Sequence, residues 1–324
     1  MDKEEIRLIT KICYMYYYED EVQSKIAKKF NLTRQMVSRL IQKAKDEGIV
    51  KINIESPVKE IIELETQLES RFDLKDAVVI QNDTISDSQL IHKLGKAAGE
   101  YFMKAIMSKM KIGIGIGEAL ESMAEYINTN VFDASLNSID LIQLIGGVNS
   151  NKSFENCQYI MSLIAKKING NLVFLNAPYI IEDEKVRDAI LRGPLFEEVF
   201  SAYENLDFAF VEIKPANKVY RASMSESKVK GINYLNLLGI NYLNNIDAAG
   251  EICLNYFNDR GYFVDTQIGD KTVAITQKKL QKVKNLVGIV GGEGANKAAL
   301  GALRSGLFNV IITDEDTARY LLSK

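Results

Sequence analysis

The sequence is poor in the residues from which metal centres and nucleophilic catalytic sites are commonly built. It has one histidine, three cysteines and no tryptophan among its 324 residues. Because His92 is the single histidine, a histidine metal site or a Ser-His-Asp triad would depend on one side chain. Cys13, Cys157 and Cys253 are scattered without metal-ligand spacing, so we interpret them as small packing residues in a reducing environment. We predict a protein with no metal and no other cofactor.

The sequence also lacks long apolar runs and has only four prolines. No stretch approaches the roughly 18 uncharged apolar residues that a membrane-spanning helix needs, and residues 1–5 are polar, unlike a signal-peptide core. The hydrophobic content of 47% and the charged content of 26% are those of an ordinary globular protein. We therefore expect a cytoplasmic protein of two or three domains with no membrane partner.

Positive charge is concentrated near the start of the chain. Residues 1–54 carry a formal charge of +3, whereas residues 55–324 carry −6. Between residues 24 and 45 there is no acidic residue, and the basic ones are Lys25, Lys28, Lys29, Arg34, Arg39, Lys43 and Lys45. A basic block on an acidic body is typical of a small nucleic-acid-binding domain, although a solvated basic helix face gives the same charge.

Apolar residues at helical spacing predict three short helices in this basic region. The first carries a stripe from Ile6 to Tyr16, the second spans residues 22–30, and the third runs from an N-cap at Thr33 to about residue 47. Asn31 suits a left-handed stop after the second helix, and Gly48 ends the third. This order is that of a helix-turn-helix, whose last helix enters the major groove of DNA.

The third helix leaves basic and amide side chains on its outer face. Arginine and glutamine pair with guanine and adenine, and serine and lysine hold phosphates. The predicted DNA-binding residues are Thr33, Arg34, Gln35, Ser38, Arg39 and Lys43. A hairpin used for dimerisation or protein interaction is the alternative, but a dimer face would be more apolar. Residues 49–54 alternate like a strand and predict a small wing beside this helix.

A fourth helix is predicted between the basic region and the rest of the chain. Pro57 suits its first turn, and Ile61, Leu64, Leu68 and Phe72 form a narrow apolar stripe. Such a stripe is either internal core or a dimer interface, and the charge on the other faces of the helix favours the interface. The predicted domains are therefore a DNA-binding domain at 1–55, a linker helix at 56–72 and an α/β body at 73–324.

Short β-branched runs alternate with helical stretches from residue 75 onward. Strands are predicted at residues 77–81, 111–115, 139–145, 171–175, 207–213, 285–290 and 309–313, and helices at 87–107, 118–127, 154–168 and 295–305. This alternation predicts a doubly wound, mostly parallel α/β sheet of the Rossmann-like type. Ligands bind to such sheets at the carboxyl ends of the strands.

Three of the predicted strand-to-helix loops are rich in glycine, at residues 113–117, 146–150 and 291–294. Backbone N–H groups at the start of a helix can hold an anion or a hydroxyl, and three such loops at equivalent strand ends favour one shared pocket. The loops lack the G-x-G-x-x-G and G-x-x-x-x-G-K-[ST] spacings. Neither a dinucleotide fingerprint nor NTP hydrolysis is therefore indicated.

Several ordered motifs together resemble one family over essentially the whole chain. They are residues 24–30 (SKIAKKF), 33–40 (TRQMVSRL), 113–117 (GIGIG), 143–147 (QLIGG), 250–252 (GEI), 302–307 (ALRSGL) and 309–318 (NVIITDEDTA). In these motifs the chain is similar to the SorC-type sugar-binding transcriptional regulators of bacteria. The resemblance implies a sugar-binding domain related to sugar-phosphate isomerases and a sugar or sugar-phosphate effector. It also implies a homodimer or homotetramer whose affinity for double-stranded operator DNA changes with that effector.

Carried over position by position, the resemblance places the effector site at Gly115, Gly117, Gly146, Gly147, Val148, Asn149, Glu251, Gly292, Glu293 and Lys297. Three positions depart from the family pattern. Ala295 stands where a lysine is usual, and Glu251 replaces an aspartate. The strand end at residues 211–214 stands where a glycine-rich turn is usual. Four glutamates also fall near these loops: Glu118, Glu212, Glu251 and Glu293. Carboxylates repel phosphate and compete for the N–H groups at helix starts, so these glutamates favour a less anionic ligand or an altered phosphate site. The alternative is that the glutamates near these loops face solvent.

A second class of function remains open from the sequence. A sugar-phosphate isomerase with a fused helix-turn-helix would use a carboxylate base such as Asp247 or Glu251. The single histidine and the absence of a nucleophile–base motif argue against catalysis. The sequence therefore predicts a DNA-binding transcriptional regulator that is not an enzyme and that responds to a sugar bound in its C-terminal domain.

Overall fold

The computed structural model describes residues 1–52, 56–82, 86–130, 136–147, 156–216, 247–266 and 269–324. The chain forms two compact units, Met1–Lys59 and Glu60–Lys324. The first unit has one apolar core, and the second has a core on each side of its main sheet.

The first unit is the predicted set of three helices, α1 (Lys3–Tyr17), α2 (Gln23–Phe30) and α3 (Arg34–Asp46). Each contributes apolar side chains to a common core, which includes Ile9, Ile12, Ile26, Val37 and Ile41. The helix-turn-helix expected from the sequence is confirmed.

Local residue chemistry sets the turn between α2 and α3. Asn31 adopts the left-handed conformation with φ of 53°, which its short polar side chain tolerates, and this ends α2. Thr33 then caps α3, since its hydroxyl oxygen accepts a hydrogen bond from the Met36 N–H at 3.2 Å. Gly48, with φ of 69°, follows the end of α3 as predicted.

The strand predicted over residues 49–54 is wrong over residues 49–52, and residues 53 and 54 lie outside the described part of the chain. The Val50 N–H bonds to the Ala44 carbonyl at 3.0 Å, which folds the chain back onto α3. Ile49 and Val50 both pack partly buried against the three-helix core. These two β-branched residues, which the alternating pattern predicted to lie in a strand, therefore pack against the helices instead.

The second unit is built on a seven-stranded sheet with the order β1-β10-β9-β5-β2-β3-β4 and parallel pairing throughout. Its strands are β1 (Asp76–Ile80), β2 (Lys111–Ile114), β3 (Asp140–Gln143), β4 (Asn171–Val173), β5 (Phe208–Glu212), β9 (Leu286–Ile289) and β10 (Val310–Asp314). All seven predicted strands are confirmed. A small antiparallel sheet that the sequence did not indicate comprises β6 (Lys214–Pro215), β7 (Gly250–Ile252) and β8 (Asn255–Phe257).

Helices cover both faces of the main sheet. They are α4 (Lys59–Phe72), α5 (Asp87–Ala105), α6 (Glu118–Thr129), α7 (Cys157–Ile168), α8 (Glu184–Leu191), α9 (Glu197–Ala202), α10 (Gln277–Leu280), α11 (Ala295–Arg304) and α12 (Glu315–Leu322), with 3-10 turns at Pro194–Phe196 and Gly269–Lys271. The buried residues of α5, α6 and α7 belong to one core, and those of α4, α9, α11 and α12 belong to the other. The fold is therefore doubly wound, as predicted.

The apolar stripe of α4 is part of the body. Ile61, Leu64 and Leu68 are each at most 7% exposed and belong to the same core cluster as Ala77 and Val79 of β1. The preference for a dimer interface formed by these three side chains is therefore wrong, because α4 turns directly into β1 and its stripe covers that end of the sheet. The periodicity of the stripe fits either arrangement, and the position of β1 decides between them.

The order of the strands places a change in the direction of the chain between β2 and β5, where a ligand crevice is expected. These two strands are neighbours, yet the chain continues from β2 into α6 on one face and from β5 toward the β7–β8 hairpin on the other. Loops that leave neighbouring strands in opposite directions open a gap at their carboxyl ends, where α/β sheets bind ligands. The loop after β2 contains Gly115 and Gly117, and β5 ends at Glu212.

Candidate nucleic-acid interface and ligand site

The α3 helix has one buried and one exposed face. Val37, Ile41 and Ala44 are buried, whereas the predicted DNA-binding residues Arg34, Gln35, Ser38 and Arg39 are all exposed. Two arginines, an amide and a hydroxyl in the first two turns of a capped helix have the donors and acceptors that base edges and phosphates require. The structure thus places these four side chains together on the exposed face of α3.

The two other predicted DNA-binding residues have partners within the unit. Thr33 is exposed, but its hydroxyl oxygen serves as the cap of α3. The Lys43 ammonium lies 2.6 Å from a carboxylate oxygen of Glu5 on α1. The hydrogen bond to Glu5 raises the pKa of Lys43, because it stabilises the charged form. Lys43 therefore ties α3 to α1, a pairing that the spacing within α3 could not indicate.

Met36 is a candidate contact that the sequence reasoning missed. Its side chain is 47% exposed in the first turn of α3, between Gln35 and the buried Val37. An exposed apolar side chain in this position can contact the methyl group of thymine in the major groove. The sequence did contain a signal for this contact, because Met36 does not fall on the inward-facing positions of α3.

The ligand-side loop after β2 is organised around Glu212. The Oε2 atom of Glu212 accepts a hydrogen bond from the Ala119 N–H at 3.0 Å, in the first turn of α6. Gly117, which precedes α6, has φ of 154°, and a Cβ atom on it would collide with the Glu212 carboxylate. Glycine at this position therefore provides both the backbone conformation and the space for the glutamate. The Gly115 N–H is bonded to the Phe210 carbonyl at 3.0 Å.

Glu251 lies beside the same crevice on β7. It is 4% exposed, and its Oε2 atom accepts a hydrogen bond from the Leu254 N–H at 2.8 Å. Lys214 on β6 is its direct partner in the β6–β7 ladder. Burial raises the pKa of both Glu251 and Glu212, and the positive charge of Lys214 opposes that shift in each case. Among the described residues, two carboxylates and one ammonium thus lie near the carboxyl end of β5. The sequence reasoning missed Lys214.

The turn between β7 and β8 lies beside Gly115 in the loop that follows β2. Cys253 and Leu254 both have positive φ, 46° and 64°, which is uncommon for residues with side chains. The sulfur of Cys253 lies 3.6 Å from the position that a Cβ on Gly115 would occupy. Burial raises the pKa of Cys253 to about 12, so its thiol stays protonated and neutral at physiological pH.

The second glycine loop does not offer open backbone donors at its described residues. The Gly146 N–H bonds to the Val273 carbonyl at 2.8 Å, and the Gly147 N–H bonds to the Ala177 carbonyl at 2.8 Å. A Cβ on Gly146 would lie 2.7 Å from the Ala177 oxygen, so glycine is needed there for close packing. These two N–H groups therefore have protein acceptors, and a role for Gly146 and Gly147 in effector binding stays a prediction. Val148 and Asn149 lie outside the described residues.

The late glycine loop is also bonded to its own chain. The Gly292 N–H donates to the carboxylate of Asp314 at 3.0 Å, and Asp314 is 1% exposed. Glu293 and Lys297 are exposed, whereas Ala295 is fully buried. The predicted cradle at Gly292 is therefore occupied by a protein carboxylate, because Asp314 ends the neighbouring strand β10 and caps α12.

The glutamates near the loops divide into two groups. Glu118 and Glu293 are exposed and face solvent, as the alternative interpretation held. Glu251 is buried and Glu212 is half-buried, so that alternative is wrong for these two. Across the described residues, no three His, Cys, Asp or Glu side chains cluster as a metal site would require.

None of the helices in the described parts of the chain combines the length and the apolar composition that a membrane crossing needs.

Comparison with known proteins gives consistent results over the whole chain. Residues 56–323 match the Sugar-bind family of sugar-binding domains. The "Sorbitol operon regulator" of Klebsiella pneumoniae is 27% identical over 328 residues, with 99% of each chain covered. The "Deoxyribonucleoside regulator" of Bacillus subtilis (strain 168) is 24% identical over 323 residues, covering 100% of this chain and 99% of the relative. The crystal structure of the full-length sorbitol operon regulator SorC from Klebsiella pneumoniae superposes with a TM-score of 0.70 at 28% identity, with 99% of each chain covered.

Proposed function

The chain belongs to the Sugar-bind family of sugar-binding domains, and from that premise we propose that it is a DNA-binding transcriptional regulator whose operator affinity is controlled by a sugar. The observation that carries the proposal is the full-length match to proteins named as regulators of sugar and deoxyribonucleoside operons. The two units of the chain divide this task between them, since one has the helix-turn-helix and the other has the sheet-end crevice.

DNA reading is assigned to the exposed face of α3. Arg34, Gln35, Ser38 and Arg39 contact base edges and phosphates, Met36 adds an apolar contact, and the lysines of α2 supply salt-dependent attraction to the backbone. The chain acts as a homodimer or homotetramer. Two copies of α3 then enter major-groove faces about one helical turn of DNA apart.

Effector binding is assigned to the crevice between β2 and β5. Gly115, Gly117, Glu212, Lys214 and Glu251 line the carboxyl ends of these strands and the adjacent hairpin. The carboxylates of Glu212 and Glu251 accept hydrogen bonds from sugar hydroxyls, and the Lys214 ammonium donates hydrogen bonds to sugar oxygens. The effector regulates DNA binding only if it binds the two states of the assembly with different affinity.

The named relatives are regulators, and we propose that this chain likewise turns over no substrate. The buried carboxylate Glu251 bonds to the Leu254 N–H of its own hairpin, which gives it a structural partner. Incubation of the purified protein with pentose and hexose phosphates is expected to leave them unchanged. Isomer formation that is lost in Glu251→Ala would contradict this part of the proposal.

A mobility-shift assay on DNA upstream of the protein's own transcription unit tests the DNA-binding half. Wild type is expected to shift this DNA, and Arg34→Ala and Arg39→Ala are expected to weaken the binding by about 1–3 kcal/mol each if they read bases. Arg192→Ala serves as the control, since it removes one exposed positive charge from the other unit. Equal loss of affinity in the control and in the α3 variants would argue against specific reading by α3.

A further inference from the structure

We infer that Glu212 occupies the anion position at the start of α6 with its own carboxylate, and that the effector is therefore a neutral, hydroxyl-rich molecule, a free sugar or polyol, and not a sugar phosphate. The inference rests on the proposed function, because it names the ligand class of the same crevice. It concerns α6, which begins shortly after the carboxyl end of β2, the neighbour of β5.

The start of α6 is where an anion would be held. The helix runs for 12 residues, and its N-cap residue, Gly117, supplies no side-chain cap. Unpaired N–H groups and the helix dipole make such a terminus attractive to phosphate. The Ala119 N–H is already bonded at 3.0 Å to Glu212, which reaches across from β5. A phosphate would have to displace this carboxylate to reach the same donor.

In the other glycine loops, three of the described N–H groups are also bonded to protein acceptors. The N–H groups of Gly146 and Gly147 bond to backbone carbonyls, and the Gly292 N–H bonds to the carboxylate of Asp314. At two of the three loops a protein carboxylate thus takes the hydrogen bond that a phosphate oxygen would accept. The same arrangement occurs after β2 and after β9. The acceptor after β2 is Glu212 of β5, and the acceptor after β9 is Asp314 of β10.

The charge around the crevice also disfavours an anionic ligand. Glu212 and Glu251 both interact electrostatically with Lys214, and the exposed Glu118 adds negative charge beside Glu212. Among these described residues, a phosphate dianion would face more negative than positive charge. A sugar hydroxyl is uncharged and is not repelled. It can donate a hydrogen bond to either carboxylate and accept one from Lys214.

Inorganic phosphate is the probe that tests the occupancy directly. Binding is measured by thermal unfolding and by phosphorus NMR on the full chain, with sodium chloride at equal ionic strength as the reference. Wild type is expected to show no phosphate-specific stabilisation, whereas Glu212→Ala is expected to bind phosphate at least about tenfold more tightly than wild type. The matched control is Glu118→Ala, which removes an exposed carboxylate from the same helix start without opening the Ala119 N–H.

Phosphate-specific stabilisation of wild type equal to that of Glu212→Ala would overturn the inference. If Glu212→Ala fails to fold, Glu212→Ser replaces it, because serine also removes the carboxylate but leaves a small polar side chain. The phosphate titration of wild type by itself still shows whether the anion position is open.

A second measurement uses paired compounds in the operator mobility shift, D-fructose with D-fructose 6-phosphate and D-ribose with D-ribose 5-phosphate. Any member that changes operator affinity is expected to be the free sugar. A sugar phosphate that acts at a lower concentration than its parent sugar would overturn the inference. Failure of the proposed function looks different, since it is the loss of operator binding itself and leaves the phosphate titration unaffected.

Discussion

Glu65 on α4 accepts a hydrogen bond from the backbone N–H of Val79 on β1 at 2.9 Å. One turn further along the helix, Glu69 accepts from the N–H of Ala77 at 3.1 Å. β1 lies at the edge of the main sheet, so these carboxylates take N–H groups that no neighbouring strand of the described sheet reaches. The helix that leads from the first unit into the second is thus fastened to the sheet through backbone atoms of its edge strand.

This fastening predicts a difference between two substitutions at Glu65. Glu65→Ala leaves the partly buried Val79 N–H without its acceptor and is expected to lower the free energy of unfolding by about 1–3 kcal/mol. Glu65→Gln keeps an acceptor oxygen and is expected to lose less. Urea unfolding of both variants measures the difference, with Gln67→Ala on the exposed face of α4 as the control. Equal losses in the Ala and Gln variants would show that the hydrogen bond to Val79 contributes little.

The buried carboxyl of Glu251 predicts a pH dependence of stability. Burial raises its pKa above the ordinary value, while Lys214 and the Leu254 N–H oppose the shift. A carboxyl whose pKa is higher in the folded state binds its proton more readily there. Its contribution to the free energy of unfolding therefore falls as the pH rises from the unfolded-state pKa of about 4.3 through the folded-state pKa.

Glu251→Gln removes that titration, so its stability relative to wild type is expected to improve as the pH rises through this interval. Denaturant unfolding at several pH values above about 4 measures the difference between the two proteins. Glu182→Gln, which neutralises an exposed carboxylate, is measured in parallel as the control. A difference between Glu251→Gln and wild type that does not change with pH would contradict the raised pKa.

The contact between Gly117 and Glu212 predicts non-additive effects on stability. Gly117→Ala places a methyl group on the Glu212 carboxylate and forces alanine into positive φ, so we expect a loss of about 1–3 kcal/mol. Removal of the carboxylate in Glu212→Ala relieves the collision but not the backbone strain. The double variant is therefore expected to be more stable than the sum of the two single losses implies. Strict additivity in a double-mutant cycle would show that the collision does not occur.

Arg34 and Lys43 predict different kinds of defect in DNA binding, although both are basic residues on α3. Arg34 is exposed, so Arg34→Ala is expected to reduce discrimination between the operator and a scrambled sequence. Lys43 is paired with Glu5, so Lys43→Ala is expected to leave that discrimination unchanged and to lower the thermal stability of the first unit. Competition mobility shifts and thermal unfolding separate the two effects. A loss of discrimination in Lys43→Ala equal to that in Arg34→Ala would instead place Lys43 on the DNA.

The sequence allowed the elements to be predicted where local signals agree. The strands of the main sheet are short apolar runs, such as Val78–Ile80 in β1 and Val310–Ile312 in β10, and α3 is bounded by Thr33 and Gly48. The strand at residues 49–52 was wrong because Ile49 and Val50 pack on the helices instead, and the dimer interface at α4 was wrong because β1 lies beneath it.

The pairing of charges at the crevice could not be predicted from the sequence. Glu212 and Lys214 lie close in the chain, but Glu251 joins them only through the register of β6 with β7. The acceptors of the glycine N–H groups, such as Asp314 for Gly292, likewise come from distant segments. Glycine spacing therefore located the loops, but it could not show that the N–H groups of Gly146, Gly147 and Gly292 are bonded within the protein.

The central claim is that ligand bound in the second unit changes the affinity of the first unit for DNA. Operator binding by mobility shift, at fixed salt and with a panel of free sugars, polyols and their phosphates, tests it most directly. The account predicts that at least one free sugar or polyol changes the operator affinity by about tenfold or more, equivalent to roughly 1.4 kcal/mol of coupling. Specific operator binding that none of these compounds changes would contradict the account.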